Sequence, residues 1–339
     1  MRRRLAVLVS LLLVGLPALP GASAPLVPVR VAITNHLIFR TPLYVASKMG
    51  FFRAEGLDVE LENMQVGSDA MKLLASGGVE FDSGPPIDGI HAIEQGIGVS
   101  GVALMNATFQ NSVIVTKSQA GTIKRFADLK GHTMGVTGIG SATWQFAMLL
   151  TAKSGLKPED IQFVSLGTNA QIAEVQAGRV DAMAATDPEP YELVQAGSAV
   201  YLVDMLDPAT HQRYVPKPAL FADVMANDDY IKSHPAQVQA FVNGMQRAFN
   251  WCNTHSPEEA AAVLKSFPSF DAYSLKDLVA MEKRLRPTLP KSVAITREEY
   301  ANAMGVVRTI GQLKTEIPFD QAIKPSFGEH AAKAYPPPK

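Results

Sequence analysis

The stretch VRVAITNHLIFRTPLYVASKMGFFRAEGLDVELENM, residues 29–64, holds one complete strand–helix–strand passage. Its first six residues form a β-branched run of the kind that suits the pleated surface of a sheet. A helix is expected over 42–54, because Pro42 fits a first turn in which no backbone N–H is missed, and Gly56 ends the segment. From 58 to 64 the residues alternate with the period of a strand.

Outward from this passage the same rhythm continues. Expected next are a helix over 68–76, with Ser68 as N-cap, a strand over 79–82, a helix over 87–95 and a strand over 99–105. It restarts with strands at 112–117, 132–137, 161–166, 180–184 and 199–203, separated by helices at 141–154, 169–176 and 190–195. Strands and helices in alternation mark mostly parallel sheets with helices on their faces. Beyond Asp228 the reading is helical, over 235–254, 257–267, 274–284 and 297–313, and the last dozen or so residues, with Pro336 to Pro338, are expected to fray. Residues 75–80 (ASGGVE) and 176–181 (QAGRVD) echo one another. The echo fits either two related lobes or the ordinary punctuation of any helix-to-strand connection.

Residues 1–24 read as a secretory signal peptide. Arg2, Arg3 and Arg4 precede an apolar run too short to span about 30 Å of hydrocarbon, and Gly21, Ala22, Ser23 and Ala24 supply small residues for cleavage. Pro25 disfavours a cut after Ala24 and leaves Ser23 as an alternative. The lone cysteine, Cys252, allows neither an internal disulfide nor a thiolate metal cluster, and no cysteine stands near the leader to carry a lipid. Such a chain suits a bacterial periplasm. The full sequence has 31 basic and 32 acidic residues; without the three leader arginines 28 face 32, a balance of −4. That gives no support for nucleic-acid or membrane-surface binding and points to a small partner.

The run PLYVASKMGFF at 42–52, followed by EGLDV at 55–59, resembles the opening of the periplasmic binding proteins that serve ABC transporters for sulfonates, taurine, nitrate and thiamine-type pyrimidines. Further matches are Gly67-Ser68 before a helix, LASGGVEFD at 74–82, DLKG at 128–131 leading to Val136, Ser141-Ala142, AGRVDA at 177–182 and the stretch from Tyr230 to Pro235. Their order and spacing cover most of the chain from Val29 to Phe241. The resemblance implies a type II periplasmic binding protein fold, α/β, with two lobes joined by a two-strand hinge. Lobe one would hold 29–109 and 226–339, lobe two 110–219, and the hinge would lie near 109–113 and 219–225. It also implies a permease in the inner membrane as partner; a monomer in solution is expected because the chain has no disulfide and few apolar residues in its tail, and no metal or cofactor is expected.

In open α/β sheets ligands bind beyond the carboxyl ends of the strands. Those positions nominate Asn35, His36, Arg40, Ser68 and Ser83 in lobe one, and Gly140, Ser141, Ala142, Thr143, Thr186 and Asp187 in lobe two. The loop 138–143 carries most information: its glycines permit a tight turn, and the first-turn N–H groups of the next helix, with the hydroxyls of Ser141 and Thr143, suit an anionic oxygen. Arg40 could pair with a carboxylate or sulfonate. Phe39, Phe109, Trp144 and Tyr191 could stack on a ring, or simply fill the core. Asp187 and Glu189 would instead suit a cationic or N–H-rich group, or serve the turn at Pro188 and Pro190. The expected ligand is therefore a small organic anion, with a neutral or aromatic heterocycle as the alternative. For an enzyme the signs are few. The seven histidines show no metal-ligand spacing, and there is no Gly-x-Ser-x-Gly elbow. Asn35-His36 resembles the Asn-His of fungal thiamine-pyrimidine synthases, but residues 37–40 are inserted before the shared run and the cysteine cluster of those enzymes is missing.

Overall fold

The computed structural model describes residues 25–34, 36–64, 67–168 and 170–338. The leader, Asn35 and the side chain of Ser68 lie outside the described residues. Among the described residues ten strands are distributed over two sheets: β1 (Val27–Thr34), β2 (Leu57–Met64), β3 (Phe81–Gly84), β4 (Val99–Asn106), β5 (Asn111–Thr116), β6 (Thr133–Val136), β7 (Gln162–Ser165), β8 (Ala182–Thr186), β9 (Ala199–Asp204) and β10 (Ala222–Asn227). The first sheet runs β2-β1-β3-β10-β4 and the second β7-β6-β8-β5-β9. In each sheet the strand that receives the chain from the other one, β5 or β10, is antiparallel to both neighbours. This is the mixed α/β architecture of type II periplasmic binding proteins.

Two segments carry the chain across, and they are bonded to each other: Ala219 N–H donates to Ala107 O and Phe221 N–H to Asn106 O, each at 2.9 Å. Phe109 and Phe221 meet there, with ring centroids 5.3 Å apart. β10 falls where the sequence suggested only a crossing. Its residues ADVMAN lack a long apolar run, yet Ala222 to Ala226 are buried because β3 and β4 flank the strand on both sides.

Strands β3 and β8 begin two residues later than expected, for one physical reason. After Gly77 (φ 73°) and Gly178 (φ 68°) the chain closes each helix with a Schellman turn, in which Gly78 N–H donates to Leu73 O and Arg179 N–H to Glu174 O. Val79 and Val180 are the buried apolar residues that accompany such turns, not strand residues. The same closure recurs after Gly96, Gly155, Gly197 and Gly311. The echo between 75–80 and 176–181 is thus helix-end chemistry common to α/β units.

The expected helix over 42–54 is broken at Met49 and Gly50 into Thr41–Lys48 and Phe51–Ala54. The first core packs these pieces and β1 against helix Pro235–Thr254, where Phe241 stacks between Phe52 (4.8 Å) and Phe81 (4.2 Å). The chain end does not fray. Helix Pro325–Ala334 docks on Pro235–Thr254, and Tyr335 donates from its hydroxyl to Glu55 Oε1 at 2.6 Å. Together with Lys324, whose N–H donates to Gly101 O, and Val293, whose carbonyl accepts from Leu104 N–H, this part of the chain covers the edge of β4.

The second large core joins both sheets. Helix Arg297–Thr309 lays Tyr300, Ala303, Met304 and Val307 into one cluster with Phe146, Leu149 and Leu150 of helix Ala142–Lys153 and with Ile87, Ile90 and Leu104 from the first sheet's side. A polar tie also links the two sides. Arg284, at the end of helix Leu275–Leu285, reaches Asp187 Oδ2 at 3.3 Å and Asp204 Oδ2 at 3.1 Å, 4.9 Å over the Tyr201 ring.

Candidate functional site

A cleft of about 330 Å³ opens where β1, β3, β6 and β8 end, with walls from both sheets and its back at Phe221 and Ala222. One wall carries Thr34, Leu37, Phe39, Arg40, Pro85, Asp88 and His91; the other carries the loop 138–143 with Gln171, Thr186 and Glu189.

Arg40 follows β1 on a short 3-10 turn, and its guanidinium turns back onto the strand ends. It donates to Thr34 O at 2.8 Å and Ser83 O at 2.6 Å, and lies 4.7 Å over the Phe39 ring. Burial lowers its pKa to about 10, with Tyr44 and Asp82 opposing, so it remains a cation at neutral pH. Part of its work is to satisfy carbonyls at the ends of β1 and β3.

The loop 138–143 is held by its own hydroxyls. Ser141 Oγ caps the helix by accepting from Trp144 N–H (3.3 Å) and also accepts from Gly138 N–H (3.3 Å). Thr143 Oγ1 accepts from Thr137 N–H at 2.9 Å and donates to Thr137 Oγ1 at 3.1 Å. Both side chains were expected as ligand donors; their polar atoms are instead drawn largely into fixing the turn. What they present to the cleft is the first helical turn, in which the N–H groups of Ala142 and Thr143 have no intrahelical acceptor. Gly140, with φ 86°, lets the chain enter that turn.

Of the nominated residues the cleft gathers Arg40, Gly140, Ser141, Ala142, Thr143 and Thr186. Three others stand apart from its lining. His36 shares a 2.7 Å hydrogen bond between Nδ1 and the Tyr44 hydroxyl and packs edge-on to Phe270; burial, then the charge of Arg40, lowers its pKa. Ser83 is fully buried as an acceptor for Arg40. Asp187 is buried behind the cleft as the partner of Arg284, its carboxyl raised to about 6 by burial against the pull of that arginine. The Arg284 tie, built from a distant helix, gave no local signal. Among the aromatics Phe39 lines the cleft, whereas Trp144 packs on Phe163 and Phe109 on Phe146 and Phe221. Tyr191 belongs to the first core.

Asp88, His91, Gln171 and Phe221 were not nominated. Asp88 had a legible signal: Pro85-Pro86 opens helix Pro86–Glu94 directly after β3, which puts the first turn of that helix at a strand's carboxyl end. Burial raises Asp88 and Glu189 each to about 7. Behind Asp88 lie two fully buried acids, Asp82, raised to about 8 by burial and by Asp88, and Asp223, raised well above its usual range by burial and Asp82.

Two sheets of mixed pairing facing one cleft, linked by two adjacent crossings, are the fold of periplasmic binding proteins. Residues 38–260 match the family described as NMT1/THI5 like, and the chain belongs to that family. It is 26% identical over 227 residues to 4-amino-5-hydroxymethyl-2-methylpyrimidine phosphate synthase THI13 of Saccharomyces cerevisiae, a match that spans 63% of each chain. In three dimensions it is similar to the ligand-binding component of an ABC-type import system from Staphylococcus aureus (TM-score 0.74, 15% identity, 90% of this chain and 99% of that one). It is also similar to the alkanesulfonate-binding protein SsuA of Xanthomonas axonopodis bound to MOPS (TM-score 0.72, 17% identity, 89% and 99%). Among the described residues no helix is long and apolar enough to cross a membrane, and no cluster of His, Cys, Asp and Glu could hold a metal ion.

Proposed function

We propose that this chain is the extracytoplasmic solute-binding component of an ABC-type importer, exported by its leader and acting as a monomer that delivers a small organic molecule to a permease in the inner membrane. The observation that carries this reading is the cleft itself, which has the volume of a small-molecule site and draws its walls from both sheets. Residues 29–109 with 226–339 act as one lobe and 110–219 as the other, closing about the paired crossings. Only a ligand that touches both walls favours the closed form. An anionic or acceptor oxygen of that ligand takes the N–H groups at the start of helix Ala142–Lys153, where the helix dipole favours negative charge. The likeness to the yeast synthase raises catalysis as the rival. Against it, His36 is bonded to Tyr44 away from the cleft lining, which supports capture over chemistry.

Native mass spectrometry of protein purified from periplasm identifies a retained ligand. Adding that ligand to the stripped protein is expected to shrink the radius of gyration in small-angle scattering and to raise the melting temperature. At 100 times the dissociation constant the gain is about 2.7 kcal/mol. A ligand that binds tightly with an unaltered scattering profile would refute closure as the signal to a permease.

A further inference from the structure

One flank of the cleft is closed by a seam between the two sides of the molecule. Ile38, Phe39 and Met281 meet Thr186, Asp187 and Leu206 across it, and the void they leave is about 10 Å³, too small for more than a single water. Phe39 and Thr186 line the cleft as well, so the seam cannot part without opening the cleft wall. Arg284 fastens it. Nε donates to Asp187 Oδ2 at 3.3 Å, Nη1 and Nη2 donate to the two oxygens of Asp204 at 3.1 and 3.2 Å, and the guanidinium lies over the Tyr201 ring. Among the described residues it is the only ion-pair partner of either acid. The helix that carries Arg284 belongs to the first core through Leu278, Met281 and Leu285, whereas Asp187, Tyr201 and Asp204 stand on or directly after strands β8 and β9 of the second sheet. A neutral bond runs beside the charged ones, from Gln110 Nε2 to Thr288 Oγ1 at 2.7 Å.

We infer that Arg284, Asp187 and Asp204 form an interlobe latch that biases the ligand-free protein toward the closed cleft. This rests on the reading of 29–109 with 226–339 and of 110–219 as lobes that close on a ligand, and it goes further by naming what sets their resting balance. The arginine and Asp204 keep some contact with solvent, so the bias is modest and the latch can release. Without the arginine the two acids are left side by side under the seam. Asp187 is then a buried charge with no counter-ion, and its Oδ1 already lacks a partner among the described residues. Parting of the lobes is what lets water reach both acids, so loss of the latch favours the open form. Apparent ligand affinity falls with it, in proportion to the fraction of molecules in the competent form.

Small-angle scattering of the whole protein, verified as empty by native mass spectrometry, tests the inference well below the melting temperature. Arg284→Met is expected to exceed the wild type by about 0.5–1 Å, on a radius of gyration of roughly 20 Å for a compact chain of this length. Asp204→Asn keeps the oxygen that accepts from Leu206 N–H, and is expected to shift the radius the same way with less disturbance of the fold. Arg30→Met breaks a pair with Glu80 that lies within one lobe, and is expected to leave the radius unchanged. Circular dichroism confirms native helix content in each variant. The inference is overturned if both latch variants keep the wild-type radius, or if Arg30→Met expands the protein equally. A co-purified ligand that contracts the wild type, while the latch variants match its empty radius, removes the latch and leaves the importer reading standing. No contraction in any of these proteins removes the hinge, and the latch with it.

Discussion

Replacing Arg284 with methionine removes the charge that ties two acids to a helix from the other side of the molecule while keeping most of the apolar stem. In the native protein the guanidinium lies 3.3 Å from Asp187 Oδ2 and 3.1 and 3.2 Å from the two oxygens of Asp204. The side chain of Asp187 is 7% exposed and that of Asp204 17%, against 26% for Arg284. Breaking a fully buried pair costs about 3–5 kcal/mol. Solvent at the arginine and at Asp204 screens part of that, which leaves roughly 2–3 kcal/mol. For a chain of this length 1 kcal/mol moves the melting temperature by roughly 1.5–2 °C, so a fall of about 3–6 °C is expected near pH 8. The pH dependence has a definite sign. Burial raises the Asp187 carboxyl to about 6 in the folded state, and Arg284 holds it from going higher. From the unfolded value of about 3.9 up to the folded value, the folded protein keeps a proton the unfolded chain has shed, so stability falls as pH rises. Without Arg284 the folded value climbs and that loss continues above pH 6. The deficit of Arg284→Met is therefore expected to be smaller at pH 5, where the Asp187 share is absent, than at pH 8, as read by urea unfolding at both. An equal deficit at the two pH values, or one below about 0.5 kcal/mol at pH 8, would refute the assignment of Arg284 as the compensating charge.

Asp82, raised to about 8 by burial, by Asp88 and against the pull of Arg40, weakens the native state progressively from about pH 4 to pH 8. Asp82→Asn is expected to flatten that slope, gaining on the wild type as pH rises; parallel stability–pH curves would sink the idea. Thr143→Ala strips the Thr137 N–H of its acceptor and should cost about 1–3 kcal/mol, whereas Thr143→Ser restores the wild-type melting temperature. Equal melting temperatures for all three proteins would show that the loop does not depend on this hydroxyl.

The sequence made the sheets legible because parallel strands buried on both faces are written as short apolar runs between capped helices, and Val29 to Met105 follows that grammar closely. β10 escaped because its burial comes from its neighbours, β3 and β4, more than from its own composition. At the site, Ser141 and Thr143 were visible as a Gly-flanked cap, but whether a hydroxyl serves the turn or a ligand depends on Thr137, which only folding brings alongside. Asp187 was misplaced because its partner lies 97 positions away. Arg40 lines the cleft, and its guanidinium, buried between two strand ends, is a structural bolt as well as a charge, which no local pattern announces.

The cluster that joins Ile87, Ile90 and Leu104 to Phe146, Leu149, Tyr300 and Val307 has a consequence for how the molecule comes apart. Were each sheet served only by a private interior, heating would melt them in turn and a calorimeter would record two events. Here each sheet keeps a core of its own, but the shared cluster means that melting either half also strips packing from the other, which draws the two transitions together. A ligand gripped in the cleft then defends both halves against unfolding, including helices far from any contact with it.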